Sequence, residues 1–221
     1  MKIVALLGLM LSLLDGTSRA MAIAPDGTRN PVILVHGILS DASDMQRMAN
    51  YLRSEGWEVH TPTLTPSNGR ATLETLADQL ASYIQTKIGK RRFDLVAFSM
   101  GGLVSRYYLQ RLGGTTQVDQ FITLAVPHHG TVMAKFSNRP GTLQMHPGSE
   151  FLQDLDSDAD KLRTVRFTSF YTPLDTIIVP CRSSEMPQAR NVRMWAAIHP
   201  SLILEKRCCR AVAKLLRNAR S

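Results

Sequence analysis

Ser99 sits in the run 93–102, FDLVAFSMGG, with small residues two positions away on each side, Ala97 and Gly101. A serine hydroxyl becomes a useful nucleophile only when a base takes its proton and fixed donors receive the oxyanion that its attack creates. This run suits that chemistry. An apolar strand candidate, 93–98, ends on the serine, and a helix-like segment, 103–112, follows at once. The layout predicts a sharp, strained turn that lifts the hydroxyl above the sheet edge, where larger side chains at 97 and 101 would collide. The pattern small-x-Ser-x-Gly arises by chance in many chains, and a serine in such a place can simply cap a helix. The flanking strand and helix make Ser99 the candidate nucleophile.

Around such an elbow the partners follow in the chain order Ser, then Asp or Glu, then His. His199 is the last histidine, in the loop before the closing helix, and is the candidate base. Between the two, Asp119 opens a strand at the opposite end of the sheet, and Asp154, Asp156, Asp158 and Asp160 fall in a polar, solvated stretch. Asp175 follows a strand ending at Tyr171, in a turn opened by Thr172 and Pro173, and is the candidate acid. One oxyanion donor is expected from the N–H of Met100, the residue after the nucleophile. The other is expected after the first strand, where His36-Gly37-Ile38 forms a glycine-loosened turn and Ile38 has a free N–H to offer. His36 itself is read as a brace for this turn. The motif at 127–131, PHHGT, is read as a structural turn at the pocket edge.

These residues need elements to hold them. Strand-like and helix-like segments alternate, which predicts an α/β fold with a mostly parallel central sheet and helices on both faces. Strands are expected at 31–35, 57–60, 93–98, 118–126, 164–171 and 191–196. Helices are expected at 44–55, opened by a Ser43/Gln46 capping box and closed by Gly56, and at 71–88, 103–112 and 202–216. On the last helix, Cys208, Val212 and Leu215 are assigned to the buried face. Ligands of a parallel sheet bind outside the carboxyl ends of its strands, and every candidate above comes just after a strand. The 127–163 insert carries only short helical pieces, so a minimal cap and little interfacial activation are expected.

The chain has 221 residues and a net charge of +8. Residues 1–22 read as a secretory signal peptide: Lys2 is the basic start, 3–14 the apolar stretch and Ala20-Met21-Ala22 the cleavage site. That apolar stretch is well short of the ~20 residues that span a bilayer. The remainder, 23–221, is expected to form a single domain, secreted or periplasmic, and monomeric. Basic residues gather at 87–92 and 206–220, which makes an anionic membrane or cell-wall surface a candidate partner. No recognition motif accompanies the charge, so nucleic acid is excluded. No metal is expected, because the histidines and cysteines lack ligand spacing. In an oxidising compartment Cys181 could pair with Cys208 or Cys209; the alternative is three free thiols.

VHGI at 35–38, AFSMGG at 97–102, TLAVPHHGT at 123–131 and QMHPGSEFL at 144–152 resemble secreted bacterial lipases and esterases of the α/β-hydrolase superfamily. The stretch 167–204 is similar to the compact, nearly lidless lipases. The resemblance covers nearly all of the chain after the leader. It implies an α/β-hydrolase fold, Ser99, Asp175 and His199 as triad, Ile38 and Met100 as oxyanion donors, and no cofactor or metal. Phe98 stands where many relatives carry histidine, and Pro200 follows the base; both departures bear on the pocket entrance. The resulting expectation is a serine carboxylic ester hydrolase, a triacylglycerol lipase or esterase working through an acyl-enzyme on a lipid or small ester. Rivals with the same triad are a thioesterase, a phospholipase or a polyester depolymerase. The rival from another class is a catalytically silent binding protein on the same fold.

Overall fold

The computed structural model describes residues 29–217. The leader assigned at 1–22 lies outside them. Six strands, β1 (Val32–Val35), β2 (Val59–His60), β3 (Phe93–Phe98), β4 (Val118–Leu124), β5 (Arg166–Tyr171) and β6 (Arg190–Arg193), form one sheet in the order β2-β1-β3-β4-β5-β6. Every neighbouring pair is parallel. The central strands are apolar almost throughout because both of their faces are covered. Their side chains divide with the two-residue strand period. Ile33, Val35, Phe93, Leu95, Ala97 and Phe121 enter one core, under α2 (Leu73–Lys87) and α3 (Met100–Arg111). Val32, Leu34, Val96, Phe98, Ile122 and Leu124 enter the other, under α1 (Gln46–Ser54) and the closing helices. This is the mostly parallel α/β sheet with helices on both faces that the alternation predicts.

Several boundaries differ from expectation. The Ser43/Gln46 capping box does not form. Asp41 takes the Ser43 N–H instead, at 2.7 Å, and α1 starts only at Gln46, after that turn. β4 stops at Leu124, not at 126, because Ala125 turns the chain with φ 48°. β6 ends at Arg193 and is mostly exposed, as an edge strand can be. The closing helix is two pieces, α6 (Ser201–Leu204) and α7 (Lys206–Arg217), separated by extended backbone at Glu205. Leu216, not Leu215, completes the buried face of α7 with Cys208, Cys209, Val212 and Ala213. All three cysteines are free, so the bridge from Cys181 is not formed.

The segment between β4 and β5 holds a 3-10 turn over Val132–Phe136 and two short helices, α4 (Pro140–Leu143) and α5 (Glu150–Ser157). It is pinned to α3 by Arg106, which is wholly buried. The guanidinium donates to the carbonyls of His128 and Leu155 and to Asp156 Oδ1. No helix among the described residues is long and apolar enough to cross a membrane.

Candidate active site

β3 delivers Ser99 into a backbone conformation that L-residues rarely adopt, φ 53° and ψ −130°. Three non-glycine residues among those described have positive φ: Leu39, Ser99 and Ala125. Each lies just past the carboxyl end of one of three adjacent strands, β1, β3 and β4. Backbone bonds hold all three: Leu39 N–H to Ser67 O, Ser99 N–H to Leu124 O and Ala125 N–H to Phe170 O, at 2.9–3.0 Å. Strain of this kind costs about 1–3 kcal/mol per residue and persists only where surroundings over-determine it. It is confined to one edge of the sheet.

Glycines allow the turn to close. A Cβ on Gly101 would collide with the carbonyl of His36, and one on Gly37 would lie 3.0 Å from Ser99 Cβ. The β1 turn and the β3 elbow are therefore in direct contact. His36 fixes the β1 turn from beneath. Its Nε2 accepts the Leu64 N–H at 2.9 Å, so Nδ1 carries the proton and donates to Gly37 O, also at 2.9 Å. Burial lowers its pKa, against the raising effect of the Gly37 bond, which suits a neutral brace. Neither the Ile38 nor the Met100 N–H donates to a described residue. Met100 is also the first residue of α3, whose N-terminal dipole end favours negative charge beside Ser99.

On the other side, loops after β5 and β6 bring Asp175 and His199 together from 24 positions apart. His199 Nδ1 donates to Asp175 Oδ2 at 2.8 Å, with both side chains nearly inaccessible. The other carboxylate oxygen accepts two backbone N–H groups, from Ile177 and Ile178, each at 2.9 Å. The acid is thus fully engaged as an acceptor, and the histidine is held in the tautomer whose Nε2 bears the lone pair. Nε2 is buried and has no partner among the described residues. Ser99 Oγ likewise bonds no described residue. Nucleophile–base hydrogen bonds are often long before substrate binds and tighten in the complex. Phe98 links the two halves: its ring centroid is 4.7 Å from that of His199, and its edge is the next contact a Gly37 Cβ would meet after Ser99. Phe98 is the wall beside the candidate base.

The structure thus brings Ser99, Ile38 and Met100 to one turn contact, and Asp175 and His199 to one hydrogen-bonded pair beside it. Asp119 lies at the start of β4, paired with Arg92 at the far edge. Sequence reasoning missed several supporting residues. Thr172 Oγ1 donates to Ala196 O and takes the Leu174 N–H, tying the acid loop to the histidine loop. Thr131 Oγ1 donates to Ile177 O and takes the Val179 N–H, tying PHHGT to the acid loop. Thr172 was legible as a turn residue before Pro173. PHHGT marks Thr131 as part of a turn but not its bonds to the acid loop, and nothing in the sequence marks Arg106, whose backbone and carboxylate partners lie 22 to 50 positions away. His128 is wholly buried, its Nε2 donating to Thr123 Oγ1 at 3.2 Å; burial foremost lowers its pKa well below the ordinary value. It is a neutral structural residue. Among the described residues no three His, Cys, Asp or Glu side chains converge as a metal site.

The palmitoyl protein thioesterase family model matches residues 31–173, well over half of the chain. The chain belongs to the palmitoyl protein thioesterase family. The match takes in Ile38, Ser99 and Met100 and stops two residues before Asp175, so the candidate acid and base lie outside it. Palmitoyl-protein thioesterase 3 of Dictyostelium discoideum is 26% identical over 128 residues, 55% of this chain and 44% of that protein. A triacylglycerol lipase of Burkholderia plantarii is 30% identical over 128 residues, 52% of this chain and 35% of that one. The chain therefore spans less than half the length of these curated relatives. Among solved structures, Aspergillus fumigatus lipase B superposes with a TM-score of 0.72 at 19% identity, covering 87% of this chain and 54% of that one. The mature lipase of Bacillus licheniformis gives 0.70 at 21% identity, covering 87% and 94%. The fold of this family member is the α/β-hydrolase fold of lipases and esterases.

Proposed function

We propose that this chain is a serine hydrolase of acyl esters, with Ser99, His199 and Asp175 as its triad and Ile38 and Met100 as its oxyanion donors. The observation that carries the proposal is the buried Asp175–His199 pair, with Nε2 free, beside a serine in strained left-handed backbone. His199 Nε2 takes the Ser99 proton as Oγ attacks the carbonyl. The tetrahedral oxyanion accepts the two backbone N–H groups, each worth about 3 kcal/mol of barrier. His199 then gives its proton to the departing alcohol or thiol, and water releases the acid from the acyl-enzyme by the same route reversed. Family membership favours a thioester as one acyl donor, and the lipase-like fold favours an oxyester as another.

The test is hydrolysis of p-nitrophenyl esters from two to sixteen carbons and of a long-chain acyl thioester, beside Ser99→Ala. Turnover lost in the variant supports the proposal. A folded chain no faster than Ser99→Ala on every substrate overturns it and leaves a binding protein. Preference for the thioester at equal chain length makes the chain a thioesterase, and the reverse a lipase or esterase. We further infer export through the leader at 1–22, a single monomeric domain over 23–221, and little interfacial activation. Export predicts an exported protein beginning at Ile23, read by its mass.

A further inference from the structure

Of the eleven large apolar side chains exposed among the described residues, eight lie in the segments that follow β1, β4, β5 and β6, while Leu112, Leu143 and Leu204 end helices. Leu39 follows the oxyanion turn and Leu174 precedes Asp175; Trp195 and Ile198 lead into His199; Met133 and Phe136 stand on the 3-10 turn after PHHGT. All six lie past the carboxyl ends of parallel strands, on the edge that carries Ser99. Hydrogen bonds tie the segments after β4, β5 and β6 together: Thr131 to the 177–179 backbone, Thr172 to Ala196 and Asp175 to His199. Phe136 is 83% exposed and Leu39 is 75% exposed. They project outward, and Leu39 does so at the cost of a left-handed backbone. An acyl chain is bound by enclosure in a cleft; a projecting apolar ring suits a surface.

Charge indicates which surface. Arg193 lies over the Trp195 ring at 5.3 Å, placing a cation beside an exposed aromatic as at membrane interfaces. Arg193, Lys135 and Arg139 have no ion pair among the described residues. On the same edge Asp175 is committed to His199, Glu185 pairs with Arg182, and Glu205, which takes the Ala197 N–H, pairs with Arg207, leaving Asp41 and Asp44 toward the β1 side. The uncompensated charge around Trp195 and Phe136 is positive. We propose that this ring docks the chain onto an anionic phospholipid surface, pointing Ser99 at acyl groups borne by the membrane. The consequence for substrate rests on the acyl-hydrolase reading; the docking does not.

Trp57 is 4% exposed and Trp195 57%, and they are the only tryptophans, so Trp57→Phe leaves Trp195 as sole reporter. This chain, carrying Ser99→Ala to prevent turnover, is titrated with phosphatidylglycerol/phosphatidylcholine vesicles and with pure phosphatidylcholine vesicles. The expected result is a blue shift of Trp195, quenching by brominated acyl chains, and clearly tighter binding to the anionic vesicles. Arg193→Gln weakens that binding about fivefold, since a basic group near an anionic surface contributes about 1 kcal/mol. If Trp57→Phe does not fold, brominated-lipid quenching of the chain with both tryptophans, compared with Trp195→Phe, reads the same insertion. No cosedimentation, cosedimentation with Trp195 unchanged, equal binding to both vesicles, or a lipid-free shift that grows with protein concentration would each overturn the proposal. The last would mark self-association instead. Hydrolysis of a soluble short-chain ester by Trp195→Ala, with Ser99 intact, is expected to stay at the parent rate. The parent's turnover against Ser99→Ala tests the acyl-hydrolase reading and vesicle binding tests the docking, so the two are separable.

Discussion

The two edges of the sheet treat a buried carboxylate in opposite ways. At the carboxyl edge, Asp175 has one oxygen on two backbone N–H groups and the other on His199. At the amino edge, Asp94 of β3 is as buried, but its partners are the amides of Asn30 and Gln120, each at 3.3 Å. The Asn30 amide also serves Asp119, whose carboxyl burial would raise but which Arg92 and Asn30 hold below the ordinary range. Burial, with Asp119 nearby, pushes Asp94 up to about 6. Backbone strain, an unpartnered histidine nitrogen beside the serine, and the ring of exposed apolar side chains all belong to the carboxyl edge. The amino edge has polar groups without strain and carries nothing that chemistry requires. A buried acid is therefore a poor marker of a site by itself; the convergence of strain, donors and an open base is a better one.

That contrast can be broken by substitution. Ser99→Ala is expected to lower kcat by about 10⁶-fold while leaving the thermal midpoint unchanged. A loss near tenfold would move the nucleophile elsewhere. Asp175→Asn is expected to cost about 10⁴-fold in kcat, because the amide favours the wrong histidine tautomer. Asp94→Asn at the other edge should leave kcat alone, and equal losses at the two positions would erase the distinction between them.

Asp94 acts instead on stability. Its folded pKa, about 6, lies above the unfolded value near 4, so its contribution is full below about pH 4 and is lost as pH rises through 6. Urea melts should show up to about 2–3 kcal/mol of pH-dependent loss between pH 4 and 7.5 that Asp94→Asn removes. The smallest effect is expected at Leu39. Leu39→Gly relieves its φ of 56° and should raise stability by up to about 1 kcal/mol while weakening adsorption to anionic vesicles. A destabilised Leu39→Gly would mean that the side chain packs rather than projects.

Much of this arrangement was legible in the chain. Ser99, Asp175 and His199 could be singled out because each follows a strand in a fixed order; the apolar run of β3 is recognisable by composition, whereas β6, RNVR, is mostly polar and exposed. The buried face of α2 also follows helical spacing: Leu73, Leu76, Ala77, Leu80, Ile84 and Ile88 recur at that period and are buried, whereas Tyr83, at the same spacing, is half-buried. Ends were less readable. The start of α1 and the split at Glu205 depend on where Asp41 and the Glu205 backbone find partners, and those choices are made by packing.

Local sequence by itself determined where the elbow falls. Small residues around Ser99, a strand before it and a helix after it are short-range facts that make the turn possible, while the Leu124 carbonyl and the β1 turn at His36-Gly37 hold it in place. Residues close in sequence also set the two-faced burial of the central strands, because alternation along a strand requires only its own period. The Asp175–His199 pair, the Arg106 anchor, the raised pKa of Asp94 and the encirclement of Ser99 by exposed apolar side chains were decided only by tertiary structure. Each joins segments tens of residues apart, and the geometry and desolvation that govern them do not exist until those segments have met.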